Sequence, residues 1–417
     1  MVVIGGGIVG TSAAAFLAEA GARVTVVERE GLASGASGAN SGVVQHPIDP
    51  VLATLYRETL ALYRELSAAD LGFRLGVDPV GLLYLSADEN AVRHVDASLA
   101  EAFPELDRAV VTGLALERLE PAVAPGLWAC RVGIGYPVHP GASTYAYATL
   151  AERRGVRLRL GRSAALDWRG DEVVGVVLDG QRLACDAVLV AAGPWSPEVI
   201  DPTGRWVPIR RRWGVVVEVE PAAGPRHILE EAEIGVAIGT VATPVESRPT
   251  GSPPAGSPSA ESRPTGSPPA ESRPAESRPT GSPPTARLLR RDEPDVDLVD
   301  FSLVPLLGVA TVGSTFLARE PDPEAWVERI LTDATAFVPG LADAPIRGSR
   351  ACARPQSRDG RPLIGRAPGH RGLFICAGHG PWGISTGPAS ARLVVDEILG
   401  REPGIPVELD PARFGAP

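Results

Sequence analysis

The chain has 417 residues, 44% of them apolar, with 40 basic and 50 acidic side chains for a formal net charge of −10, and every basic residue is an arginine. Without lysine there is no Schiff base and no phosphate-loop ammonium, which excludes pyridoxal-phosphate enzymes, class I aldolases and the usual P-loop NTPases. The acidic balance argues against nucleic acid, and the scattered Cys130, Cys185, Cys352 and Cys376, like the six histidines, lack the spacing of a metal site.

The length suits about two to three domain-sized units. No apolar run approaches the roughly 20 residues needed to span a bilayer, and the start, MVVIGGG, has no basic leader region. The expectation is a cytoplasmic protein with no integral membrane segment.

Residues 2–4 form a short β-branched run, followed by glycines, an alanine-rich helix ending near Gly21, and a second strand at 24–28. This is a βαβ unit that opens a parallel sheet. Leu52, Leu55, Tyr56, Thr59, Leu62, Tyr63 and Leu66 recur at helical spacing and predict an amphipathic helix over 51–68. A further helix is expected at 143–154, closed by Gly155. Runs at 156–160, 173–178 and 187–192, with turns such as Asp179-Gly180, predict a β-meander that returns to the parallel sheet. Residues 205–245 and 298–318 are strand-like and predict a second, mostly antiparallel unit. A helix is expected at 323–338, and the C-terminal part reads strand, glycine loop, helix.

Residues 246–285 repeat ESRPTGSPPA-like units, rich in Pro, Ser and Gly and nearly free of large apolar side chains. Such a composition buries too little surface to offset ordering entropy, so a disordered surface-loop insertion is expected. The alternative, a docking segment for a polyproline-binding domain, lacks a repeated basic-PxxP anchor.

Gly5, Gly7 and Gly10 make the pattern G-x-G-x-x-G between the first strand and helix. The first glycine permits the tight turn, the second lets the backbone approach a pyrophosphate, and the third lets helix and strand pack closely. The helix N-terminus adds free N–H groups and a positive dipole end. Glu28 ends the next strand, where an acid hydrogen-bonds a ribose and disfavours a 2′-phosphate. The pattern in this context predicts a dinucleotide site but does not by itself separate NAD from FAD. A second loop, ASGASGANSG at 33–42, with Ser41 near its end, suits an extended cofactor.

At the other end of the chain, Leu373–Ala377 reads as a buried strand and Gly378-His-Gly-Pro-Trp-Gly383 as a loop, with Ser385 or Thr386 able to cap the helix that follows. Taken in order, the N-terminal glycine unit, the SGAxxANSG loop, Val190-Ala-Ala-Gly-Pro-Trp-Ser196, the Arg-Pro…Asp-Gly…Pro-Leu-Ile-Gly segment and the AGH…G…P ending resemble the D-amino-acid oxidase superfamily of FAD-dependent oxidoreductases, which includes glycine oxidase, sarcosine oxidase and D-amino-acid dehydrogenase. The resemblance spans the chain outside the repeat.

It implies an α/β fold: a GR2-type, Rossmann-like FAD-binding domain from segments 1–78, 138–204 and 346–417, and an α+β substrate domain on a mostly antiparallel sheet from 79–137 and 205–345. It implies oxidation of a C–N bond, in an amino acid or secondary amine, by hydride transfer to flavin N5, with oxygen or another electron acceptor closing the cycle. The alternatives are a 2-hydroxy-acid dehydrogenase and an FAD-binding subunit of a larger dehydrogenase complex. Arg354 matches the arginine that holds a substrate carboxylate; pairing with Asp359 to brace a turn is the other role open to it. Gly378, His379, Gly380 and Gly383 match the loop beside the flavin, where His379 would touch the flavin or brace the backbone. Gly193 belongs to the matched Ala-Ala-Gly-Pro-Trp segment. Ala164 matches a small residue that meets adenine through its backbone, and His46 lies where relatives place residues against the flavin. Cys352 stands seven residues before Asp359, the spacing of a flavin-linking cysteine, but most relatives hold FAD noncovalently, and that is the expectation here.

Overall fold

The computed structural model describes residues 1–232, 297–402 and 404–417. The repeat at 246–285 lies outside them. Two sheets carry the fold.

The first has six strands in the order Leu363–Arg366, Leu373–Ala377, Val188–Val190, Val2–Ile4, Thr25–Glu28, Arg157–Leu160. All neighbours are parallel except the antiparallel edge strand Leu363–Arg366. Its central strands, Val-Val-Ile and Val-Leu-Val, are buried throughout because both faces are covered. Alternation assigns the side chains. Val3, Val26 and Leu189 face a helical layer that includes Ile8–Glu19, Ala142–Arg153 and Gly383–Ile398. Val2, Ile4, Val27, Val188 and Val190 face the other way, onto Val173 and Val176. Those two valines belong to a separate three-stranded antiparallel sheet of Ala164–Arg169, Glu172–Leu178 and Gln181–Ala184. The meander expected at 156–192 is therefore split: its ends join the parallel sheet, and its middle, with the unanticipated strand Ala164–Arg169, forms the covering layer.

The second sheet has eight strands, in the order Ile346–Ser357, Ile209–Val219, Val309–Phe316, Leu298–Leu306, Ile228–Glu231, Leu82–Ser86, Trp128–Val132, Arg108–Thr112. It is mixed rather than purely antiparallel, since Ile228–Glu231 runs parallel to Leu82–Ser86. Strand Ile346–Ser357, expected in the cofactor half, pairs along its length with Ile209–Val219 and forms one edge of this sheet. One face is a core of Val215, Val217, Val219, Leu229, Leu303 and Val312, packed near Ile330 and Ala334 of the helix Val327–Thr335. The helix expected at 323–338 is shorter than read, because Pro323–Trp326 is a 3₁₀ turn and the α-helix stops at Thr335. No helix among the described residues is long and apolar enough to cross a membrane.

The C-terminal helix Gly383–Ile398 contains Pro388, which has no N–H to give the carbonyl of Ile384. The Tyr63 hydroxyl donates to that carbonyl instead, at 2.8 Å. One residue on, the Ala389 N–H donates to Thr59 Oγ1 at 3.2 Å. Both partners sit on the helix Pro50–Ala68, so the irregular turn beside the site is held from outside.

Candidate active site

One continuous cavity of about 660 Å³ runs between the two sheets. Gly5, Gly7, Glu28, Ser41, Ala164 and Gly193 line it on the side of the parallel sheet, and His379, Gly380, Gly383 and Arg354 line its far part.

The glycine turn is built as its spacing requires. Gly5 has φ +121°, and a Cβ there would stand 2.3 Å from the Ala191 carbonyl oxygen. A Cβ on Gly10 would stand 2.0 Å from the Gly5 carbonyl oxygen, so Gly10 serves the close packing of helix on strand and does not line the cavity. Gly7 precedes the helix Ile8–Glu19, whose first turn holds no acidic residue to neutralise its positive end. The Glu28 carboxylate is fixed by the Gly6 N–H at 2.7 Å and the Glu30 N–H at 2.9 Å. Two neighbours were not legible beforehand. Ser37 Oγ accepts from the Ile8 N–H at 2.9 Å, and Arg29 stacks on Trp195 at 4.1 Å, walling the Glu28 end.

In the far part, Gly378 (φ +90°) does not line the cavity: a Cβ there would press on Leu363 and Ile209 at 3.2–3.3 Å, so its role is packing. Gly380 and Gly383 do line it. Ser385 and Thr386 lie inside the first turn of the helix rather than capping it. Ser385 Oγ accepts from the Gln45 N–H, and Thr386 Oγ1 donates to the Trp382 carbonyl. His379 is buried, its Nε2 has no hydrogen-bond partner among the described residues, and desolvation pulls its pKa down to about 4. It is a neutral imidazole that lines the cavity.

His46 is a correction. Val43 and Gln45 line the cavity, while Val44 and His46 do not. The His46 ring packs edge-on against Tyr56 and Phe103, at 5.0 and 4.8 Å, and burial lowers its pKa. It is a core histidine, and Gln45 is the residue that reaches the site.

Arg354 does not pair with Asp359. That carboxylate is taken by Arg413, at 2.7 and 3.2 Å. The Arg354 guanidinium donates to the Thr315 carbonyl at 2.6 Å and to Ser314 Oγ, and lies 4.4 Å over the Phe316 ring. Burial lowers its pKa, with opposing contributions from Cys352 and Asp300. The space it occupies exists because residue 214 is a glycine, where a Cβ would stand 2.4 Å from the guanidinium carbon. A preorganised, partly buried guanidinium at a cavity wall has the geometry and charge to pair with a carboxylate.

These residues fit a dinucleotide bearing a ring system. A glycine turn with a part-buried acid lines one part of the cavity, and a neutral histidine with an unsatisfied nitrogen lines another, beside a helix N-terminus. The comparisons agree. A family profile described as "FAD dependent oxidoreductase" matches residues 1–249 and 273–397, and the chain belongs to that family. It is an FAD-dependent oxidoreductase of the D-amino-acid oxidase superfamily. It is 29% identical to a glycine oxidase of Pseudomonas aeruginosa, over 99% of this chain and 97% of that protein. In fold it is similar to glycine oxidase from Bacillus cereus (TM-score 0.73, 22% identity, 97% of this chain and 95% of that one). It is likewise similar to iminodiacetate oxidase from Chelativorans sp. (TM-score 0.72, 21% identity, 98% of each chain).

Cys352 lines the cavity, but its thiol is buried and its pKa is raised by desolvation. A covalent flavin link needs the thiolate. Acid precipitation of the holoprotein is therefore expected to release the flavin into the supernatant. A fluorescent band that stays with the chain on a denaturing gel would contradict this.

Proposed function

We propose that the chain oxidises the C–N bond of a carboxylate-bearing amine, an amino acid or a secondary amine, with Arg354 holding the carboxylate. Glu28 would hold the ribose of FAD, the turn at Gly5 and Gly7 with the N-terminus of Ile8–Glu19 the pyrophosphate, and Ala164 the adenine. Ser41, Gly193 and the His379–Gly383 loop would line the rest of the cofactor. When bound, FAD supplies a two-electron acceptor, taking a hydride at N5 from the carbon next to nitrogen.

The protein's part is positioning. Arg354 is clamped by Thr315, Ser314 and Phe316, so its fork is set before substrate arrives and little entropy remains to be lost. Burial strengthens its pull on a carboxylate by lowering the local dielectric. His379, neutral at physiological pH, can exchange one hydrogen bond at Nε2 without adding charge. The helix Gly383–Ile398 begins at the cavity and directs its positive end toward charge that develops there. Oxygen or another acceptor then reoxidises the enzyme.

The observation that carries this reading is a guanidinium fixed in place by a backbone carbonyl and a hydroxyl, on the wall of a cavity continuous with the glycine turn. The test is a screen of the FAD-loaded enzyme with amino acids, N-methyl amino acids, simple amines and 2-hydroxy acids, with and without oxygen and with a dye acceptor. Turnover of carboxylate-bearing amines with release of ammonia or a primary amine is expected. Turnover of 2-hydroxy acids alone would replace C–N by C–O oxidation.

A further inference from the structure

The eight-stranded sheet turns a second ionisable group toward the same cavity. On Ile228–Glu231, Leu229 faces the core and Glu230 the cavity. Glu230 is in register with Ser302 on the neighbouring strand, and Ser302 with Gly313 on the next. Ser302 also lines the cavity. The Glu230 carboxylate accepts from Gln45 Nε2 at 3.2 Å and pairs with no cation among the described residues. Burial pushes its pKa up to about 7. A carboxylate held this way, with an amide beside it and a hydroxyl in register, has the equipment to receive a cationic ligand group, and binding one would offset its desolvation.

The separation from Arg354 sets the kind of ligand. The guanidinium rests against Ser314 and Thr315 on Val309–Phe316; Leu298–Leu306 lies next, then Ile228–Glu231. Two inter-strand spacings are about 10 Å. That exceeds the reach from a carboxylate to its own α-nitrogen and suits a basic group at the end of a side chain.

We propose that Glu230 is the specificity residue for a distal cation, so that the enzyme prefers carboxylate-bearing amines that carry a second basic group. The proposal rests on Arg354 holding the carboxylate.

Binding of 6-aminohexanoate and hexanoate to the FAD-loaded protein tests it by calorimetry and by perturbation of the flavin spectrum, with no turnover required. Wild type is expected to bind 6-aminohexanoate about 10- to 100-fold more tightly, the range of a charge-assisted pair. Glu230→Gln should erase that difference and keep hexanoate affinity and flavin content, and Glu230→Asp should retain part of it. Arg354→Met should weaken both ligands alike. Equal affinities in wild type, no binding of either ligand, or loss of both in Glu230→Gln would overturn the role of Glu230. A preference for 6-aminohexanoate that survives in Arg354→Met with undiminished affinities would uphold Glu230 and overturn the carboxylate site instead.

Discussion

Gly7→Val is expected to purify folded and colourless. Gly7 sits where the first strand hands over to Ile8–Glu19 and faces the cavity, and a Cβ there would stand 3.0 Å from Ser37 Oγ. Valine adds two further carbons, which project over the N–H groups that a pyrophosphate must reach. Overpacking costs about 1–3 kcal/mol even where neighbours yield. Here both the backbone and the diphosphate are stiff, so the loss should exceed about 3 kcal/mol, more than roughly 100-fold in Kd. The position separates cofactor loss from unfolding. At Gly5 or Gly10 the new Cβ would meet backbone oxygens at 2.3 and 2.0 Å and disrupt strand and helix packing instead. Flavin absorbance per chain and a melting curve check the result together. One flavin per chain in a folded Gly7→Val protein would show that the pyrophosphate lies elsewhere.

Arg354→Met is expected to keep FAD and fold and to lose about 10- to 100-fold in kcat/KM on carboxylate-bearing amines, which corresponds to about 1.5–3 kcal/mol. Simple amines should lose little. Methionine fills much of the same volume above Gly214 and Phe316 and removes a buried charge whose desolvation is unfavourable. The rotation of loss between substrate classes is the diagnostic. An equal loss on both would mean that the guanidinium holds the strand around Ser314 and Thr315 in place and does not bind substrate. A companion change, Arg413→Met, should affect stability but not this ratio, because Arg413 is the residue that braces Asp359.

The part of the site that was legible in the sequence is the part made by neighbours along the chain. The glycine turn, Glu28 and the His379 loop each depend on a strand, a turn and a helix in succession, and local steric rules dictate their residues. What lay hidden depends on register between distant strands. Nothing near Arg354 signals that Gly214 vacates its place; only the pairing of Ile209–Val219 with Ile346–Ser357 does so. His46 failed as a site residue by one position: Gln45 lines the cavity, while the His46 ring packs on Tyr56 and Phe103. Glu230 stands in the run His-Ile-Leu-Glu-Glu, where composition cannot tell which acid faces inward. The strands Leu82–Ser86, Arg108–Thr112 and Trp128–Val132 are short, and the parallel pairing of Leu82–Ser86 with Ile228–Glu231 joins segments too far apart for periodicity to reveal.

The order of the six parallel-sheet strands bears on how the chain is made. Val2–Ile4 is made long before one of its two partners, Val188–Val190, and longer still before the helix Gly383–Ile398 that packs on Ile8–Glu19. The cofactor turn is thus synthesised well before the elements that enclose it. Until then its valines and alanines are exposed, with loop closures across most of the chain still to be made. At about 5–20 residues per second the nascent chain stays in that state for tens of seconds. A chain cut short before Leu373 would leave one side of Val188–Val190 unpaired, an open apolar edge of the kind that sticks to other copies.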